Sequence, residues 1–395
     1  LTSRFGVAPH LWRHTGSFDD VLSLADVDRL IAGAGLRRPA VRLVRDGTVI
    51  PPADYTRRAR TGGATISDLV DPGRVLDLVA DGATVVLQGL HRWWPPAARF
   101  CRDIELVLGH AVQANAYLTP AGAAGLAPHH DTHDVFVLQV AGSKHWTVRR
   151  PYLDTPLPRH ASDHEVAATQ PVLFEAEMTS GDALYLPRGV VHSAAAQRGL
   201  SLHLTIGILA TTVHDVLREL VDLAAEEVRF RRSLAPGWAF DPDGAEGEVK
   251  AAIAALVDWL ATADAGAVAE RLRDRFVANR TPLLEGQLLE IAALDEIGDD
   301  TQVVRRPAAV AHLRVEPGGD TGAGDGGGPR LQLVLGDRRL TMPAALEPAV
   351  RRLLDGEPHR VGALADLLDA PSRRVLVRRL VREGILCTRR APSDA

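Results

Sequence analysis

Apolar residues along this chain fall into two patterns, short runs and helical stripes, and the switch between them divides it. Between residues 83 and 210, short apolar runs at 83–87, 114–118, 135–140, 145–149, 172–175, 183–186 and 200–208 are cut by Gly, Pro and Asp. Many short strands of this kind predict a sandwich or jelly-roll barrel. Residues 94–108 read as a helix lying outside that barrel. Ahead of it, 18–34 has helical spacing with Ser17 or Asp19 as a cap, and 66–81 reads as a second helix ending before Gly82. Residues 39–50 alternate around Asp46-Gly47 and predict a hairpin.

From residue 211 the period becomes helical. Val213, Leu217, Leu220, Val221, Ala224 and Val228 form one stripe, and Ala251, Ile253, Leu256, Val257 and Leu260 form another. The pattern continues over 267–277 and 283–297, so 212–298 is expected to be all-helical. Such stripes are buried either in the chain's own core or against a second subunit. Beyond them, 303–313 and 330–335 are expected to pair as a hairpin around a Gly/Asp-rich loop at 318–328. Short helices at 348–354, 361–368 and 372–383, then a strand at 384–388, outline a winged helix. The division predicted is a mostly β catalytic domain (1–210), a helical segment (211–300) and an α+β winged helix (301–395).

Composition narrows the function. A formal charge of −5 gives no general attraction to nucleic acid or anionic membranes. Residues 351–395 carry ten arginines against six acidic groups, a bias as typical of a solvated surface as of DNA contact, so nucleic acid is not the expected partner. Two cysteines, Cys101 and Cys387, fit a reducing compartment better than a disulfide framework. No run reaches the roughly 18 apolar residues of a membrane span, and the expectation is a cytoplasmic protein.

The candidate chemistry sits at 126–138, where His129 and Asp131 stand two apart in a segment turning strand-like. Positions i and i+2 of a strand share a face. His192, just past the turn at 181–189, is the third candidate. Two imidazoles and a carboxylate are the facial triad of non-haem Fe(II) oxygenases, whereas structural zinc takes four protein ligands. Spacing alone leaves the set open, because His130, His133 and Asp134 crowd the same segment. Lys144, the only lysine before Lys250, reads either as a hairpin-tip surface residue or as an interior cation for a dicarboxylate. Asn115 and Tyr117 alternate on a preceding strand, lining the same pocket or serving as core and interface residues. His203, in an apolar strand, reads as a hydrogen-bonded core histidine, and His91, Trp93 and Trp94 read as a packing corner or pocket rim.

Taken together, Asn115-Ala116-Tyr117-Leu118-Thr119-Pro120, Pro128-His129-His130-Asp131, Gly142-Ser143-Lys144-His145-Trp146 and the Gly181-Asp182 to His192 stretch resemble the JmjC-type ribosomal oxygenases of the cupin-4 group. The resemblance covers 83–210 strongly and the rest more weakly. It implies a double-stranded β-helix binding Fe(II) through His129, Asp131 and His192. Lys144 would hold the distal carboxylate of 2-oxoglutarate, with Asn115 and Tyr117 beside co-substrate or substrate. It further implies a homodimer formed through the helical segment, and hydroxylation of an amino-acid side chain, His or Arg, in a ribosomal or other protein. Two alternatives stay open. One is a hydroxylase of a biosynthetic peptide or free amino acid; the other is a non-catalytic metal-binding regulator that uses its winged helix. One departure from relatives is Ile206-Gly207, where a serine is frequent.

Overall fold

A computed structural model describes residues 5–123, 126–196, 199–316, 328–336 and 338–389. The Gly/Asp-rich 318–328 stretch lies outside the described residues apart from Gly328. The chain forms two compact units, 1–210 and 211–395.

The first unit is built on two antiparallel sheets. In the larger, the strand order is His10–Trp12, Ala183–Leu186, Asp134–Ala141, Ser201–Leu209, Ala111–Thr119, Thr84–Leu87, Val41–Arg45, Thr48–Val49. The smaller runs Val172–Thr179, Ser143–Arg149, Val191–Ala196, His129–His130. The alternation of the long strands decides what each face touches. Ala114, Ala116, Leu118, Leu202, Leu204 and Ile206 are buried in one cluster with Val27, Val75, Ala97 and Cys101 of the helices Leu24–Gly33, Pro72–Ala80 and Pro95–Leu108. Val135, Val137, Trp146, Val148, Met178 and Leu184 fill the interior between the sheets. The remaining inward positions are left to line a cavity. This is the double-stranded β-helix that the family resemblance implied, and it fits the jelly-roll barrel predicted from the short strands.

Gly142 turns Asp134–Ala141 into Ser143–Arg149 and so aims Lys144 inward. Its φ is 67°, and a Cβ there would lie 2.2 Å from the Leu200 carbonyl oxygen. Gly142→Ala is therefore expected to cost roughly 2 kcal/mol or more, from left-handed strain plus backbone collision. The check is urea unfolding; a midpoint equal to wild type would refute it.

Two expectations in this unit are corrected. The first helix starts at Leu24, capped by Ser23 with Asp26 in a reciprocal capping box, and not at Ser17 or Asp19. Residues 66–70 are strand, not helix: Ala64–Val70 pairs with Thr56–Thr61 around Gly62-Gly63, both at positive φ. The helix begins only at Pro72, with Asp71 as its cap, because the residue before a proline avoids helical backbone.

The second unit opens with helices Val213–Ala224, Pro242–Leu260, Ala265–Ala278 and Gln287–Ala292. Their apolar stripes are largely uncovered by this chain: Val213, Leu217, Val221, Ile253, Val257 and Leu260 are exposed. The helices and the C-terminal section share one unit, tied by Gln287 Nε2 donating to the Val381 carbonyl and by the Arg314–Asp274 ion pair. The predicted 303–313 hairpin arm is corrected. Gln302–Arg305 pairs with His359–Arg360 and Leu386–Thr388, while His312–Glu316 pairs with Arg330–Leu335. Pro307, which has no N–H to donate, sits in the turn between them. Arg338–Pro343 adds a strand that periodicity did not predict. Of the three predicted short helices, 361–368 is reduced to a 3₁₀ turn at Val361–Leu364. No single helix among the described residues is long and apolar enough to cross a membrane.

Candidate metal and co-substrate site

His129 and His192 sit directly opposite each other on adjacent antiparallel strands, which brings their ring centroids to 4.5 Å. Asp131 follows the short strand His129–His130, and its Oδ2 is 3.6 Å from His192 Nε2. Its backbone carbonyl accepts from Gly189 N–H at 3.0 Å. One ligand-type atom from each of the three lies within 4.8 Å of the others, the single such grouping among the described residues.

The tautomers follow from hydrogen bonding. His129 Nδ1 is 2.7 Å from the Ala127 carbonyl, and His192 Nδ1 is 3.1 Å from the Val190 carbonyl. A carbonyl only accepts, so each Nδ1 carries a proton, and in the neutral ring the lone pair is left on Nε2. Burial, then the neighbouring His129, pushes His192 down to about 4, so its imidazole is neutral. Burial pushes the Asp131 carboxyl up, but His192, His133, His129 and His130 outweigh it and hold it below the usual range. With both rings in this orientation, the two Nε2 atoms and the Asp131 carboxylate converge on one point. That donor set would fit a divalent cation, and all three residues line one cavity.

The cavity measures about 240 Å³ and includes Lys144, Tyr117, Arg42, His203 and Trp146 in its lining. Lys144 is 2% exposed and is no surface lysine. Its Nζ donates to Thr119 Oγ1 at 3.0 Å, and Thr84 Oγ1 is 3.2 Å from the same oxygen. Burial pulls its pKa down to about 8. Tyr117 stacks on His203 at 4.9 Å with planes 2° apart; burial, then the Asp131 charge, raises its hydroxyl to about 12.

Not every candidate reaches the cavity. Asn115 Oδ1 accepts from Gly89 N–H at 2.9 Å, and Asn115 is not part of the lining. His130 turns away, its ring against Tyr152 and its Nε2 3.3 Å from the His160 carbonyl. His203 is buried as expected, but it faces the cavity, and its Nδ1 has no hydrogen-bond partner among the described residues. Burial, then Lys144, holds it well below its ordinary pKa. At Gly207, a Cβ would meet Gln113 and His133 at 3.1 Å, so a serine there would force one of them aside. His91 and the two tryptophans form the expected corner: His91 Nδ1 accepts from Ala114 N–H, and Trp93 and Trp94 donate to the Gln88 and Val21 carbonyls. Sequence reasoning missed Arg42, Thr84 and Thr119. The usable signal was alternation, which puts Arg42 with Val44 and Thr119 with Tyr117.

Residues 91–216 match the family model described as JmjC domain. The chain is 32% identical over 203 residues to "Bifunctional lysine-specific demethylase and histidyl-hydroxylase NO66" of Brugia malayi, covering 48% of this chain and 28% of that protein. It is 34% identical over 160 residues to "Ribosomal oxygenase 2" of Bos taurus, covering 38% and 34%. The chain thus spans about a third of the length of these relatives. Among solved structures, Escherichia coli ycfD superposes with a TM-score of 0.57 at 17% identity, covering 98% of this chain and 96% of that one. The same protein in complex with cobalt and 2-oxoglutarate gives 0.53 at 16% identity, with the same coverage. At that identity the likeness shows the fold.

Proposed function

We propose, from the match of residues 91–216 to a JmjC domain, that this chain is an Fe(II)- and 2-oxoglutarate-dependent dioxygenase that hydroxylates an amino-acid side chain in a protein or peptide. The single observation that carries the reading is the pair of Nε2 lone pairs aimed, with Asp131, into a cavity that also holds a buried lysine. His129, Asp131 and His192 are the residues to hold the metal. Lys144 is the residue for the far carboxylate of the co-substrate; with dioxygen, bound Fe(II) and 2-oxoglutarate would supply the oxidising power for C–H hydroxylation, one oxygen atom going to the substrate and the other to succinate, with release of CO2. The chain's own contribution is positional. The backbone carbonyls of Ala127 and Val190 hold both imidazoles in the ligating tautomer, Thr119 orients the ammonium, and Trp146, Val135 and Val137 keep water from the interior wall.

The relatives' names, histidyl-hydroxylase and ribosomal oxygenase, favour a histidine side chain in a ribosomal protein as substrate, and the sequence resemblance adds arginine as the other choice. A homodimer through the helical segment is favoured by the uncovered stripe of Val213, Leu217, Val221, Ile253 and Val257. We keep the assignment of 1–210 as catalytic, 211–300 as dimerising and 301–395 as winged helix. A cytoplasmic compartment is favoured by two unpaired thiols, Cys101 and Cys387.

The test is succinate release. Iron-loaded protein with 2-oxoglutarate is expected to form succinate, stimulated by ribosomal-protein extract, and to leave a one-oxygen mass gain on one peptide. No succinate with any substrate, together with retardation of DNA at physiological salt, would favour a non-catalytic regulator.

A further inference from the structure

Across four adjacent strands of the larger sheet, Arg42, Val86, Tyr117 and His203 stand directly opposite one another in a row. All four line the cavity. Arg42 makes no ion pair or hydrogen bond among the described residues, and its Nε is buried without a partner. A guanidinium is always charged and strongly prefers a carboxylate, and a buried polar atom left unpaired requires a reason.

Charge balance supplies one. The charged side chains lining the cavity are Arg42, Lys144 and Asp131. A divalent ion and a dicarboxylate co-substrate neutralise each other, and Asp131 offsets Lys144. Arg42 then remains uncompensated in a partly desolvated site. The co-substrate offers it nothing, since one end is needed at the metal and the other at Lys144. What is left to arrive is the substrate.

Resting on the reading above, we propose that Arg42 is a specificity-determining residue, and that the substrate presents a carboxylate to it at or beside the carbon that is oxidised. Asp or Glu side chains, or the free carboxylate of a small amino acid, fit this chemistry. A cationic arginine side chain does not, because like charges meeting in a desolvated cavity repel strongly. The inference keeps the oxygenase reading but departs from the His or Arg side chain favoured above, replacing it with a substrate that carries a carboxylate.

The experiment uses the full chain loaded with Mn(II) and 2-oxoglutarate under nitrogen. Three probes, the N-acetyl methylamides of aspartate, histidine and arginine, are titrated while Mn(II)-induced broadening of their proton signals reports approach to the metal. The aspartyl amide is expected to bind at least about tenfold tighter than the arginyl amide, the scale of one charge-assisted hydrogen bond. Arg42→Gln should lose that margin and Arg42→Lys should keep part of it, both with 2-oxoglutarate affinity within about threefold of wild type, and Arg42→Glu should reverse the preference between the aspartyl and arginyl probes. Equal binding of the aspartyl and arginyl probes, no binding of any probe, or an aspartyl affinity untouched by Arg42→Gln would overturn the proposal. So would a large loss of 2-oxoglutarate affinity in Arg42→Gln, which would place Arg42 on the co-substrate. Failure of wild type to bind Mn(II) or 2-oxoglutarate would strike the oxygenase reading itself and take this inference with it.

Discussion

His192→Ala is expected to abolish retention of Fe(II), with the affinity for Mn(II) or Co(II) falling by at least roughly 100-fold. Loss of groups that merely orient a ligand already costs about 10- to 100-fold, and His192 supplies a donor atom itself. The geometry makes the loss hard to repair. His192 is 6% exposed, and its Nε2 is the nitrogen facing Asp131. Its ring is fixed by the Val190 carbonyl, so no neighbour can swing into the vacated position without breaking the strand pairing with His129. His130→Ala is the matched control: it removes an equally buried imidazole of the same cluster, one turned toward Tyr152 and the His160 carbonyl. Metal content after desalting, measured on folded samples of both variants, decides the matter. Wild-type retention in His192→Ala, or equal loss in the two variants, would mean that the third ligand is misassigned.

The parts of this site legible in the sequence were those set by short-range geometry. A two-residue step places His129 and Asp131 on one side of the chain, and turn residues around Gly181 and Gly189 announce the strand that carries His192. The barrel was equally readable, because its strands are short apolar runs cut by Gly, Pro and Asp. What could not be read is which strands become neighbours. Lys144 beside a glycine looks like a hairpin tip until Thr119, 25 positions earlier, is found against its ammonium. Arg42 alternates with Val44 either way, and only the pairing of Val41–Arg45 with Thr84–Leu87 turns that face to the cavity. Asn115 shows the opposite failure: its place on the right strand and face says nothing of Gly89, whose N–H claims its oxygen. The splitting of 303–313 between two sheets is a further case, since local periodicity carries no record of where a strand finds its partner.

Lys144→Met is expected to weaken 2-oxoglutarate binding by roughly 100-fold or more while metal still binds, because leaving one partner of a buried ion pair alone costs about 3–5 kcal/mol. The same substitution should stabilise the protein without co-substrate. Burial lowers this lysine from 10.5 to about 8, an interval corresponding to about 3 kcal/mol of penalty on the charged form. Methionine keeps the volume and removes the charge, so a gain on the order of 2 kcal/mol at neutral pH is expected, after the lost bond to Thr119 is discounted. The sign of the pH dependence follows. Between about 8 and 10.5 the unfolded chain holds the proton that the folded chain has released, so wild-type stability should rise with pH across that window, and the Lys144→Met variant should lack that slope. Co-substrate binding should run the other way. The free protein needs a charged Lys144, so wild-type affinity falls above about pH 8, approaching tenfold per unit. Calorimetric titration of 2-oxoglutarate into Mn(II)-loaded protein, paired with urea unfolding at pH 7 and 10, measures both. An unchanged affinity in Lys144→Met would remove the lysine from the co-substrate. A destabilised variant would mean that the ammonium is held by contacts stronger than its one hydroxyl partner.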